Sequence, residues 1–278
     1  MIAPAPTCAR CLDRGHVFAA RGDRAAAEVC LCRSPCPLCG GSGRVVRDRD
    51  GALHASPCSC RDLARRVALY NAAGVPRHFC EKGLSTFRAY DAGQADVLAR
   101  VQGFAQSYPL SRKGFCLWGK PGTGKTHLLC ATLQHLTLEK GVACRFVEIS
   151  FLFSEIKEAF NRNVSALAAL APLADVEVLA IDEIGKGRGT EWELATLDEL
   201  LGRRYNADRT TLFSTNCGVS LRAERAAPAG FGDPAALARG QLAEDDLQRR
   251  IGDRSFSRMA EMAVFHHLVA DDRRIPRF

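Results

Sequence analysis

Gly114-Phe-Cys-Leu-Trp-Gly-Lys-Pro-Gly-Thr-Gly-Lys-Thr126 is the stretch on which the reading of this chain turns. Gly114–Trp118 is a short apolar run, as expected of a buried strand, and it leads without a break into Gly119, Lys120, Pro121, Gly122, Thr123, Gly124, Lys125 and Thr126, which satisfy G-x-x-x-x-G-K-[ST] in full. The segment His127–Glu139, closed by Gly141, reads as the following helix. Strand, glycine-rich loop and helix N-terminus form the context of a phosphate site. The glycines let backbone N–H groups converge on phosphate oxygens, Lys125 neutralises the β- and γ-oxygens, and the Thr126 hydroxyl is placed to ligate Mg²⁺.

Two later strands complete the pattern. Val176-Glu-Val-Leu-Ala-Ile-Asp-Glu183 is mostly apolar and ends in two carboxylates. In a parallel sheet it is expected beside the phosphate-loop strand, with Asp182 holding Mg²⁺ and Glu183 polarising the water that attacks the γ-phosphate. Thr210-Thr-Leu-Phe-Ser-Thr-Asn216 ends in Asn216, whose amide could reach that water or the γ-phosphate. Val142–Ile149 and Phe265–Val269 read as further strands, and Phe151–Phe160 and Glu191–Leu201 as helices. Strands alternating with helices imply a doubly wound parallel α/β sheet with its ligand at the strand C-terminal ends.

The N-terminal quarter obeys another rule. Cysteines fall at Cys8, Cys11, Cys30 and Cys32 and again at Cys36, Cys39, Cys58 and Cys60, each of the second set 28 residues after its counterpart. Gly15 likewise maps onto Gly43 and Val17 onto Val45, so the duplication extends beyond the thiols. Each unit reads C-x2-C, eighteen residues, C-x-C. Two chelating turns at the base of a hairpin can bring four thiolates to one Zn²⁺, which gives two zinc ions per chain. Units this short cannot fold on apolar burial, so the zinc would be structural. The exact repeat favours one ion per unit; the alternative nests Cys30, Cys32, Cys36 and Cys39 around one ion and the outer four around the other. Cys80, Cys116, Cys130, Cys144 and Cys217 are scattered and read as small hydrophobes.

The 278 residues carry 38 Lys and Arg against 31 Asp and Glu, a net charge of +7. Residues 1–70 hold eleven Arg, no Lys and six acids, so most of the excess lies there. No run approaches a membrane span and Met1–Thr7 lacks a secretory pattern, so a cytoplasmic location without membrane contact is expected. The division expected is a tandem zinc-binding domain at 1–62, a helical linker at 63–90 with basic residues facing nucleic acid or water, and a nucleotide-binding domain at 91–278. The Ala-, Gly- and Pro-rich segment 217–241 reads as a long loop.

Tyr70-Asn-Ala-Ala-Gly-Val-Pro-Arg-His-Phe79, Thr86-Phe87, GKPGTGKTHLL, VLAIDEIG, LFSTN and Ile251-Gly-Asp-Arg-Ser-Phe-Ser-Arg-Met259 together resemble the AAA+ ATPases of the DnaC/DnaI helicase-loader and IstB transposition-helper group, over about residues 64–278. Cys36-Pro-Leu-Cys-Gly-Gly-Ser-Gly43 resembles the zinc knuckle of DnaJ-type domains. The first resemblance implies an AAA+ P-loop fold, hydrolysis of ATP, homo-oligomerisation through the ATP site, binding of single-stranded DNA and, for loaders, engagement of a replicative helicase by the N-terminal domain. It implies that Arg258 is the arginine finger of a neighbouring subunit's site, with Arg254 one turn earlier the other candidate, and that Arg273, beside Arg274, is the C-terminal sensor. Phe151, Lys157, Phe160 and Arg162 lie where the family places DNA-contacting helices. The rival readings are an ATPase partner of a transposase and an ATP-switched binding protein with little turnover; the intact Glu183 argues against the second.

Overall fold

The cysteine repeats fold as two antiparallel hairpins, β1 (His16–Arg21) with β2 (Arg24–Val29) and β3 (Arg44–Arg49) with β4 (Ala52–Pro57). The computed structural model describes residues 8–33, 35–36, 38–49, 52–220 and 246–269. The hairpins share one register: His16 pairs with Val29 as Arg44 pairs with Pro57, and Arg21 with Arg24 as Arg49 with Ala52. Each is closed at its base by one bond, from Cys30 N–H to Gly15 O and from Cys58 N–H to Gly43 O.

Their surroundings differ. Helix α1 (Ser59–Ala72) lies against the first hairpin, where Ala25 and Ala27 are buried with Val67 and Tyr70 and the Phe18 ring meets Tyr70 edge-on. The outer edge of β2 is bonded as well: Ala25 N–H donates to Val75 O, Arg77 N–H to Asp23 O, and Asn71 both accepts from and donates to the Ala27 backbone. The second hairpin has no such cover, and every residue of β4 is exposed.

After α1 come α2 (Ala92–Ser107), capped by Asp91, then β5 (Gly114–Trp118), α3 (Lys125–Leu138), β6 (Cys144–Glu148), α4 (Ile149–Asn161), α5 (Ala166–Asp175), β7 (Val178–Asp182), α6 (Glu191–Asn206), β8 (Thr210–Thr215), α7 (Leu247–Ile251), α8 (Asp253–Met262) and β9 (Ala263–His267). The five strands β5 to β9 form one parallel sheet in the order β6-β7-β8-β5-β9. One face buries Val101, Leu128, Leu129 and Leu133 of α2 and α3 together with α1; the other buries Ile149, Leu152, Leu197 and Leu201 of α4 and α6. Both faces of a parallel sheet must be covered, and apolar strands such as β7 and β8, buried along their whole length, are the result.

Three expectations change. The carboxylate-bearing strand β7 is not beside the phosphate-loop strand β5, because β8 intervenes and pairs with both. The last strand begins at Ala263 rather than Phe265, in register with Gly114. The segment expected as a linker joins the main core: the 62/63 boundary falls inside α1, Tyr70 and Val75 are fully buried, and Phe146 N–H of β6 donates to Ala73 O. Arg65 and Arg66 of α1, expected to face nucleic acid or water, instead donate to Gly141 O and Leu138 O at the C-terminal end of α3, where carbonyls lack helical partners.

Candidate nucleotide and metal sites

The thiols group by repeat. Sγ atoms of Cys8, Cys11, Cys30 and Cys32 lie within 4.8 Å of one another, and so do those of Cys36, Cys39, Cys58 and Cys60, which replaces the nested alternative. Cys11 and Cys32 are 3.5 Å apart and Cys8 and Cys30 3.9 Å; the second group repeats this with 3.5 and 3.7 Å. Zn–S bonds of about 2.3 Å in a tetrahedron set sulfurs roughly 3.8 Å apart, whereas a disulfide needs about 2.05 Å. Backbone N–H groups favour the thiolates, those of Cys11 and then Arg10 bringing Cys8 down to about 7. The donor set therefore fits two structural zinc ions.

Between α3 and the start of α2 lies a cleft of about 730 Å³. Its floor is the phosphate loop. Lys125 Nζ donates to Gly119 O and Lys120 O at 2.7 Å each. Two glycines are required by close approach as well as by positive φ: a Cβ on Gly119 would meet Leu268 O at 2.4 Å, and one on Gly124 would meet the Phe87 ring at 2.7 Å. Next to the loop, Trp118 stacks flat on His267, ring centres 3.6 Å apart.

Thr126 Oγ1 donates to both oxygens of Asp182, at 3.0 and 3.2 Å. Asp182 is buried, which pushes its carboxyl above the usual range, and its hydrogen-bond partners are the hydroxyls of Thr126 and Ser214. A buried carboxylate served only by hydroxyls suits a hard divalent cation such as Mg²⁺, with Thr126 as the second ligand. Glu183 lines the same cleft in the left-handed region, φ 56°, with its N–H on Ser214 Oγ at 3.1 Å. Its carboxylate is bonded by Lys186 Nζ, which also reaches Glu148 Oε1 at 3.2 Å; the bond to Glu183 raises the Lys186 ammonium. Asn216, just past β8, is exposed at the cleft mouth. The expected phosphate, metal and base residues are thus in one place.

The arginines divide. Arg258 on α8 donates to Asp198 Oδ1 at 2.6 Å and its side chain is 19% exposed, whereas Arg254, 3.6 Å from the same carboxylate, is 76% exposed. Arg254 is the freer of the two to reach another subunit. Arg273 lies outside the described residues, as does 221–245 of the expected loop. Phe151 and Phe160 are exposed, but Lys157 rests over the Trp192 ring and Arg162 pairs with Glu158.

Sequence reasoning passed over several groups. Ser214 is the residue of β8 that touches both carboxylate positions, and its signal was only a hydroxyl in an apolar strand. Lys186 was hidden in a glycine-rich turn. The wall opposite the loop comes from His78, Phe79, Phe87, Arg88, Tyr90 and Gln94, in a segment without a periodic pattern. Arg204 of α6, fully buried, donates to the carbonyls of Leu173, Val176 and Thr210 and so ties α5, α6 and β8 together.

The profile of IstB-like ATP-binding proteins matches residues 58–222. Among known sequences, the replicative helicase loader DnaC of Escherichia coli (strain K12) is 28% identical over 171 residues, covering 61% of this chain and 69% of that protein. DnaC of Buchnera aphidicola subsp. Baizongia pistaciae is 29% identical over 146 residues, covering 52% and 59%. Among solved structures, the DnaC helicase loader superposes with a TM-score of 0.55 at 22% identity, over 69% of this chain and 99% of that one. DnaI gives 0.52 at 22%, over 71% and 93%, and DnaA from Aquifex aeolicus 0.51 at 15%, over 69% and 51%. At these identities the structural likeness speaks for the AAA+ fold alone. No helix among the described residues is long and apolar enough to cross a membrane.

Proposed function

The chain belongs to the family of IstB-like ATP-binding proteins, and from that premise we propose that it hydrolyses ATP to load or remodel a hexameric replicative helicase, docking it through the N-terminal zinc units and binding single-stranded DNA. One observation carries the ATPase reading: Lys125, Thr126, Asp182, Glu183 and Asn216, from four separate segments, border one cleft or its floor. In this reading Lys125 exchanges the Gly119 and Lys120 carbonyls for phosphate oxygens, and Thr126 with Asp182 holds Mg²⁺, which neutralises charge developing on the phosphates. Glu183 accepts a proton from the attacking water, Asn216 orients that water or the γ-phosphate, and an arginine of a neighbouring subunit, Arg254 or Arg258, completes the site in a homo-oligomer. Arg273 is kept as the sensor candidate. The names of the similar sequences, helicase loaders, favour a helicase over a transposase as partner.

The test is an asymmetry. Lys125→Ala is expected to abolish tight nucleotide binding, because it removes contacts made in the ground state, whereas Glu183→Gln keeps ATP bound and stops hydrolysis. Normal turnover in Glu183→Gln would move the base elsewhere. For the partner, co-sedimentation with the replicative helicase of the same genome is expected in ATP; association with a transposase and none with the helicase would reverse the assignment.

A further inference from the structure

The two zinc hairpins are copies, yet only one has its apolar face covered. In the first, Phe18, Ala25 and Ala27 face α1, and the β2 edge is bonded to Asn71 and to Val75 O. Moved by the 28-residue repeat, these positions become Val46, Leu53 and Ala55. The pairing keeps them on one face, since Phe18 opposes Ala27 and Val46 opposes Ala55. Here nothing lies against them: Val46 is 58% exposed and Leu53 75%. The N–H groups of Leu53 and Ala55, which hold the places of Ala25 and Ala27, make no bond outside the hairpin among the described residues. Around this face Arg44, Arg47 and His54 are exposed and make no ion pair among the described residues.

We infer that the Val46–Leu53–Ala55 face and the β4 edge form a docking site for an amphipathic helix of a partner protein, seated as α1 is seated on the first hairpin and flanked by acidic residues. The helical form of the occupant follows from the internal precedent: the same backbone register, with the same alternation, packs on a helix bearing Val67, Tyr70 and an edge-bonding Asn71. Its charge follows from the arginines, which would repel α1-like basic flanks and attract acidic ones. The first hairpin cannot serve, because its face and edge are already used within the chain. The site rests on the proposed loader reading only for the identity of the partner, the helicase, and not for its own existence.

Two probes separate the questions. A synthetic helix keeping the α1 spacing of Leu63, Val67, Tyr70 and Asn71, with Glu in place of Arg61, Arg65 and Arg66, is titrated into full-length zinc-loaded protein while backbone amide signals are followed. Signals of Val46, Leu53 and Ala55 are expected to move, and Val46→Glu/Leu53→Glu to weaken binding at least tenfold, with ATP affinity unchanged. Ala20→Glu, on the exposed tip of the first hairpin, is expected to leave binding intact. No shift with the peptide overturns the inference, as does an equal response of these signals to single-stranded DNA, or a self-association by light scattering that the double variant abolishes. In the second arm, helicase binding lost in the double variant identifies the partner. Helicase that binds both forms equally overturns the face as the helicase site, and helicase that binds neither form fails the loader reading while the peptide result still decides the docking face.

Discussion

Cys8 and Cys36 hold the same position in the repeat, but their replacement is expected to have unequal consequences. In Cys8→Ser the first zinc is lost and its hairpin melts. Four N–H···O bonds then go: Ala25 to Val75, Arg77 to Asp23, and the pair between Ala27 and Asn71. At about 1 kcal/mol each, this is about 4 kcal/mol of coupling to the core before any loss of apolar contact is counted. For a chain of this size that corresponds to a fall in melting temperature of roughly 8–16 °C. The released segment Val75–Cys80 carries His78 and Phe79, which wall the nucleotide cleft. ATP affinity is therefore expected to drop at least tenfold, which needs about 1.4 kcal/mol of the total. In Cys36→Ser the second hairpin melts, but every residue of β4 is already exposed, so melting temperature and ATP affinity stay near wild type. The assay is zinc content by elemental analysis, calorimetric melting and fluorescent-nucleotide titration on both variants. Equal losses in the two, or unchanged ATP affinity in Cys8→Ser with zinc reduced to one per chain, refute the coupling.

Further outcomes are open to measurement. Lys186→Met frees Glu183 from its ammonium partner; because the pair is partly exposed, worth about 0.5–1 kcal/mol, turnover is expected to rise roughly two- to fivefold with KM for ATP unchanged, and a fall in turnover would make Lys186 a helper of the base rather than a restraint. Arg258→Ala leaves Asp198 without its closest cation and is expected to lower the melting temperature, whereas Arg254→Ala is expected to leave folding intact and stop hydrolysis unless mixed with Lys125→Ala subunits, which bring an intact finger to its intact pocket; no recovery in co-assembled mixtures removes Arg254 as the trans residue. Asp182 has its folded value raised by burial, so the folded state holds the proton more tightly than the unfolded one; metal-free stability is expected to fall as pH rises from the ordinary carboxylate range through the raised value and to be flat above it. Asp182→Asn is expected to remove that decline and raise the metal-free melting temperature at neutral pH while weakening Mg²⁺-dependent nucleotide binding, and an unchanged pH profile in the variant assigns the decline to another group.

Signals that reside in a few neighbouring residues were legible in the sequence. The phosphate loop, the Asp182-Glu183 pair and the thiol repeat each depend on local geometry, and each strand or helix read around them exists within a few residues. Partners were less legible. Apolar runs define that β7 and β5 are buried but not which strand lies between them, because pairing is decided by the whole sheet. The stretch 63–90 resembles a linker in composition, yet Leu63, Val67 and Tyr70 mark a face whose two partners, the first hairpin and α3, are distant in sequence in opposite directions. Arg258 is one side chain among many cations until Asp198 of α6 is brought across from it. The division of labour between the hairpins was invisible for the same reason: repetition dictates two equal folds, and the single helix α1 can cover only one.

Trp118 lies flat on His267 one residue before the phosphate loop, and the chain has only one other tryptophan, Trp192, which packs on Phe153 and under Lys157 on the far side of the sheet. The stacked ring therefore gives the protein an intrinsic optical gauge. Imidazole in van der Waals contact drains indole emission, and does so more when protonated, so small changes in ring overlap at Gly119 translate into intensity. A Trp192→Phe protein retains that emitter alone, and its fluorescence reads occupancy of the loop in an unlabelled chain, in real time and in any mixture with tryptophan-free partners.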